Sequence, residues 1–236
     1  MKAVAALICI CACSAQSLSQ FIVKGSIDKV GNHPYIFLYR ITGIHKDLLI
    51  DSITILPGKE FHFVIQNGMD NGLYKLAIAG EPNLAEFPEK AFFFIADSSG
   101  QLELRAVSAE ELYKSEIVQT GQVNNFISTQ LLKRLAEYFS LVSQFNVAIS
   151  PEAKGHFFKR LWLFQEEWLG EIQATIISSR HAGILIAALY FLAKIQHASG
   201  YGDFSRYFNL VKMYLGSTDL TKSLFEYSVQ TMATTD

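Results

Sequence analysis

Thiols, imidazoles and paired carboxylates are the side chains here with chemistry to offer, and their spacing works against most of it. Cys9, Cys11 and Cys13 form a Cys-x-Cys-x-Cys run, which in a folded polar setting could gather thiolates around a soft metal. Here the run lies inside an apolar stretch from Ala3 to Cys13, behind Lys2 and ahead of the small residues Ser14-Ala15-Gln16-Ser17. That order is the pattern of a secretory signal peptide over residues 1–17. The stretch is shorter than the roughly 20 residues a membrane-spanning helix requires. Two processing routes are open. Cleavage after Ala15 or Ser17 removes every cysteine and leaves no disulfide, dithiol centre, thiolate nucleophile or Cys-ligated metal. The segment Ile10-Cys11-Ala12-Cys13 is also similar to a lipobox, and lipid attachment at Cys13 would place the protein on a membrane.

The six histidines, His33, His45, His62, His156, His181 and His197, include no pair four apart, so no helix can present two of them to one metal. No metal and no cofactor is expected. Glu110-Glu111 and Glu166-Glu167 are sequence neighbours, which point in different directions on a helix and read as solvated faces. The nucleophile elbow, the phosphate-cradling loop and the dinucleotide fingerprint are all missing. Asp51-Ser52 in a strand-like segment suits local hydrogen bonding better than catalysis. No catalytic residue is assigned, and the chain is read as a non-enzyme.

Aromatic density is the pattern most open to a binding role. Phe92-Phe93-Phe94 cannot all face one way in a strand, and Phe157-Phe158, Trp162 and Trp168 crowd one predicted helix. Core packing between a sheet and helices accounts for them at least cost. The alternative is a groove in which Phe157, Trp162 and Trp168 contact a hydrophobic peptide, lipid or glycan.

The elements that must position these residues follow two periods. With 236 residues, 50% hydrophobic and 18% charged, the chain can bury a sizeable core in one large or two small domains. Its net charge of −2 gives no basic footprint for nucleic acid. Over 18–107, apolar residues alternate: Phe21, Val23 and Ile27; Phe61, Phe63 and Ile65; Leu102 and Leu104. Each such strand should have one wet face, whereas 35–41 and 91–96 are apolar on both sides and read as inner strands. Turn chemistry stands between them at Gly31-Asn32, Pro57-Gly58, Asn67-Gly68, Asn71-Gly72 and Ser99-Gly100. Seven or so short antiparallel strands imply a sandwich or an open barrel.

Beyond a linker at 108–120, in which 108–111 can add a short helical turn, the period becomes helical over 121–236. One helix is predicted over 123–145. A second starts at Ser150-Pro151-Glu152, a cap followed by proline at the first helical position, with Phe157, Leu161, Phe164, Trp168, Ile172 and Ile176 inward. The stretch 182–195 is apolar almost all round and reads as a central buried helix. Helices over 203–215 and 217–232 complete an α-helical bundle. The fold class is therefore α+β, a β-sandwich or open barrel followed by a helical bundle.

Behind the leader stand Phe21-Ile22-Val23-Lys24-Gly25, Tyr35-Ile36-Phe37-Leu38-Tyr39, Leu49-Ile50-Asp51-Ser52, Gly58-Lys59-Glu60-Phe61-His62-Phe63 and Gly72-Leu73-Tyr74-Lys75-Leu76. This order resembles the N-terminal domain of unknown function of secreted thioredoxin-like proteins in certain Gram-negative bacteria. The resemblance implies a β-sandwich, a helical segment and then a thioredoxin domain carrying Cys-x-x-Cys. No Cys-x-x-Cys occurs here, so the family's redox role passes to no residue. The expectation is an exported accessory or interaction module of the periplasm or cell envelope, with an envelope protein or ligand as partner, no nucleic acid, and a membrane only through Cys13. Three alternatives stand beside it: the aromatic binding protein, a hydrolase assembled from distant His and carboxylate residues, and part of an oxidoreductase whose catalytic domain lies beyond residue 236.

Overall fold

A computed structural model describes residues 20–32, 34–66, 72–78, 90–96, 100–199 and 204–233. The leader with Cys13, His33 and the Asn67-Gly68 turn lie outside the described residues. Among the described residues eight strands come first: β1 Gln20–Lys29, β2 Tyr35–Gly43, β3 Lys46–Thr54, β4 Glu60–Gln66, β5 Gly72–Ala77, β6 Phe92–Ala96, β7 Gly100–Ser108 and β8 Glu116–Gln119. Six α-helices follow among the described residues: α1 Gln122–Phe126, α2 Lys133–Val147, α3 Pro151–Ser178, α4 Ala182–Ser199, α5 Phe204–Val211 and α6 Asp219–Ala233. The class is α+β.

The strands form two four-stranded sheets, ordered β4-β1-β7-β8 and β3-β2-β5-β6, in a sandwich-like arrangement. Alternation sets their faces, because successive strand side chains point opposite ways. In β1, Phe21, Val23 and Ile27 are buried while Lys24 and Asp28 are exposed, and β4 and β7 alternate likewise. Gly31 and Gly58 adopt positive φ in their turns, at 61° and 64°, a conformation costly for residues with a Cβ. Gly25 has a different task. A Cβ there would sit 2.6 Å from the Phe61 ring and 2.8 Å from the Leu104 carbonyl oxygen, so only glycine lets that ring lie over β1.

One pairing departs from expectation. β1 and β7 run parallel, with Phe21 opposite Gly100 and Ile27 opposite Ala106. Parallel neighbours need a long connection, and the whole second sheet lies between them in sequence. The expectation of antiparallel strands alone is corrected here.

In the second sheet β5 and β6 are covered on both faces, and Phe92-Phe93-Phe94 shows how. The Phe94 ring stacks on Phe21 of the other sheet at 6.0 Å and on Tyr74 at 5.7 Å. Phe93, pointing the other way, meets Phe191 edge-on at 5.2 Å and Tyr190 at 6.1 Å, both on α4. All residues of β5 and β6 are buried. α6 packs against β2 and α4 against β5, while α3 lies against α2, α4 and α5. The layers therefore run sheet, sheet, helices.

Although read as an inner strand, β6 is the last strand of its sheet, and a side chain closes its edge. Asn124 of α1 accepts from the Ile95 backbone N–H at 2.7 Å and donates to the Ile95 carbonyl at 2.8 Å. Its amide thus supplies the acceptor and donor that a further strand would offer.

Residues 108–120 are no simple linker. They hold a 3₁₀ turn, Ala109–Lys114, with Leu112 and Tyr113 buried, and then β8, whose Ile117 pairs with Leu104. The first predicted helix is continuous from 122 to 147 but passes through a π-helical stretch, Ile127–Leu132. That wider turn places Ile127, Leu131 and Leu132 in the core. The cap at α3 is as expected: Ser150 Oγ accepts from the Ala153 N–H at 3.1 Å, with Pro151 at the first helical position. The central helix α4 is buried continuously from Leu185 to Gln196.

Candidate functional site

The aromatic residues proposed for a groove do not converge. Trp168 is 1% exposed, held in the core by Phe164 at 5.9 Å and Phe191 at 6.1 Å. Trp162, six residues earlier and so about a third of a turn away round the helix, is 50% exposed. Phe157 is half-buried between His156 at 5.7 Å and the Arg160 guanidinium, 5.7 Å above its ring. Trp168 is unavailable to a ligand, and no one surface holds both tryptophans.

The His197 side chain, like His33, lies outside the described residues, and the other histidines sit on separate elements. His181 caps α4, its Nδ1 accepting from the Gly183 N–H at 3.2 Å, while His62 and His156 are exposed. Among the described residues no three His, Cys, Asp or Glu side chains are placed to hold a metal ion. Glu111 pairs with Lys114 at 2.5 Å, a bond that raises the lysine's pKa. Asp51 accepts from the Ser52 N–H at 2.7 Å, a local role, beside the irregularity where β3 fits an extra residue between Leu49 and Asp51 opposite β2.

A cleft of about 470 Å³ does open between the β2–β3 turn and α6, lined by Gly43, His45, Lys46, Lys222, Glu226 and Tyr227 among others. The turn is seated on α6 by Ser223, whose Oγ accepts from the Ile44 N–H at 3.3 Å. A Cβ on Gly43 would come within 3.0 Å of that same oxygen. Burial raises the pKa of Tyr227 above its ordinary value. Lys222 and Asp219 lie 3.8 Å apart at the rim. The wall therefore carries both charge signs, which suits a small polar group better than an acid–base reaction.

One residue beyond Lys46 begins the most buried ion pair among the described residues. Lys75 Nζ lies 2.7 Å from Asp47 Oδ2, with side chains 0% and 2% exposed. The ammonium also stands 5.4 Å over the Tyr39 ring. Register explains the meeting. Asp47 is opposite Ile41 and Lys75 opposite Tyr39, so the lysine reaches across β2 on the helix-facing side. A lone lysine inside the otherwise apolar Gly72–Ala77 strand is the sequence signal for such a pair; its partner is not readable without the register.

The other exposed feature is apolar. Leu48, Leu49 and Ile50 stand out along β3, the open edge of its sheet. Val147, Ile149, Phe158, Trp162 and Leu163 stand out around the α2–α3 turn. Among the described helices none is long and apolar enough to cross a membrane. No family model, no curated protein and no solved structure matches the chain.

Proposed function

We propose that the protein is an exported, non-catalytic interaction module of the Gram-negative cell envelope: a β-sandwich with a docked helical bundle, on the plan of the front half of thioredoxin-like oxidoreductases. The observation that carries this reading is how the described surface divides. Several of its charged groups form short structural pairs, such as Glu111 with Lys114 and Arg134 with Glu137, whereas large apolar side chains stand outward on the β3 edge and at the α2–α3 turn. Outward apolar clusters of that kind serve docking, and a leader ending in small residues supplies the route out of the cytoplasm.

Fractionation of a Gram-negative host expressing the full chain tests the export half. The expected product is periplasmic with Gln16 or Leu18 first, or membrane-bound with acylated Cys13, by intact mass. Cytoplasmic material that retains residues 1–17 would overturn it. Insulin disulfide reduction tests the other half: no turnover is expected, and thiol-dependent turnover by the purified protein would overturn the non-catalytic assignment.

A further inference from the structure

Both walls of the cleft between the β2–β3 turn and α6 stand on fixed backbone. On the strand side, Thr42 Oγ1 donates to the Lys46 carbonyl at 3.1 Å, and the Ile44 N–H is taken by Ser223 of α6. Asp47, the next residue after Lys46, is locked onto the buried Lys75. The turn is therefore tied to the fold at its middle and at its end, and Lys46 starts from a firm base. On the helix side, Ser223, Glu226, Tyr227 and Gln230 recur at spacings of three and four, which is one face of a helix, and all four line the cleft.

Charge divides between these walls. Lys222 and Asp219, 3.8 Å apart, offset each other at the rim. What is left is Lys46 on the turn, with His45 beside it, and Glu226 on the helix. Among the described residues neither Lys46 nor Glu226 forms an ion pair, although both line the same 470 Å³ cleft. Opposite charges that border one space without closing on each other leave room for a group carrying both complements. A lone anion would gain Lys46 and be repelled by Glu226, and a lone cation the reverse. The Ser223 and Tyr227 hydroxyls and the Gln230 amide add both donor and acceptor capacity along the helix wall, which suits a peptide group better than a hydrocarbon.

We propose that the cleft binds a short zwitterionic peptide of about two residues, its carboxylate at Lys46, its ammonium at Glu226 and its amide along Ser223, Tyr227 and Gln230. The volume lies within the range of small-ligand pockets, about 300–1,000 Å³. Such a site goes beyond the proposed module, since it takes a small ligand and requires neither export nor a macromolecular partner.

Isothermal titration of the full chain with L-alanyl-L-alanine is the test. Saturable binding at about millimolar affinity is expected, because both protein charges are exposed and each contact is correspondingly weak. Acetylating the ligand's ammonium or amidating its carboxylate should weaken binding about fivefold or more. Lys46→Gln and Glu226→Gln should each weaken it about fivefold, with thermal melts unchanged. Charge reversal separates recognition of a dipolar ligand from simple loss of a contact. Lys46→Glu should weaken binding more than Lys46→Gln does, and Lys46→Glu with Glu226→Lys should restore it, the peptide lying end for end. No saturable binding at millimolar concentrations, an affinity indifferent to either blocked terminus, or a double reversal no better than the single overturns the proposal.

Discussion

Lys75 and Asp47 make the sharpest claim about single side chains. Removing one partner of a buried ion pair leaves the other charge without compensation, at about 3–5 kcal/mol, whereas replacing both with apolar residues of similar volume is close to neutral. Lys75→Met alone should therefore lower unfolding free energy by roughly that amount, and Lys75→Met with Asp47→Leu should recover most of it. Urea titration of the single and double variants checks this, and a double variant as unstable as the single would contradict it. Asn124 makes a parallel case. Asn124→Ala strands the N–H and C=O of Ile95 at a buried edge, for about 2 kcal/mol, read as a lower urea midpoint with unchanged slope. These two residues also mark a limit of sequence reading. Lys75 betrays itself by standing in an apolar strand, but Asn124 sits among ordinary helix-start residues. Its role exists only because β6 ends the sheet beside it.

The periodic elements were the most legible. Alternation in β1, β4 and β7 is local chemistry, and so is the Ser150-Pro151 start of α3, whose cap is the bond the residue types predict. Ser150→Ala should cost about 1 kcal/mol, measurable as a lowered melting temperature; no change would mean the cap is replaced by solvent. What escaped was non-local. The parallel β1–β7 pair depends on the length of intervening chain, and β8 is four residues that become a strand only by pairing with β7. The π-helical stretch hides within a sound helical pattern. In α3 the apolar stripe read from Phe157 to Ile176 is real, but its first turns overhang their neighbours. Periodicity reports a face without reporting what covers it, and so Trp162 and Trp168 could be placed in one groove that the helix does not form. Between α2 and α3, Arg134 is held by Glu171 and Glu137, hydrogen bonds that raise its pKa against desolvation. Arg134→Met should cost about 1 kcal/mol, discounted for partial exposure.

The layered build, sheet on sheet on helices, makes the aromatic residues shared property rather than a binding box, and it gives the molecule a definite response to alkali. Tyr138 lies between α2 and α3, 6.2 Å from the Phe139 ring and 6.4 Å from Phe164. Tyr227 on α6 meets Phe204 of α5 edge-on at 5.0 Å. Burial raises the pKa of both above the ordinary 10.0, opposed at Tyr138 by a hydrogen bond with Gln165. The folded chain thus keeps protons that the unfolded chain releases, and stability falls wherever the unfolded state binds fewer protons. The tyrosine contribution is whole below pH 10 and is lost as pH rises from 10 through the raised folded values. Because these two rings sit at different helix–helix contacts, the loss spreads over the helical layer rather than one loop. Denaturant unfolding measured at intervals from pH 8 to pH 11 should decline above about 10 in the parent. Tyr138→Phe with Tyr227→Phe should decline less steeply, since neither ring can then ionise. Parallel profiles for the two proteins would show that these tyrosines titrate in the folded state as they do in water, and that the helical layer covers them less closely than its packing implies.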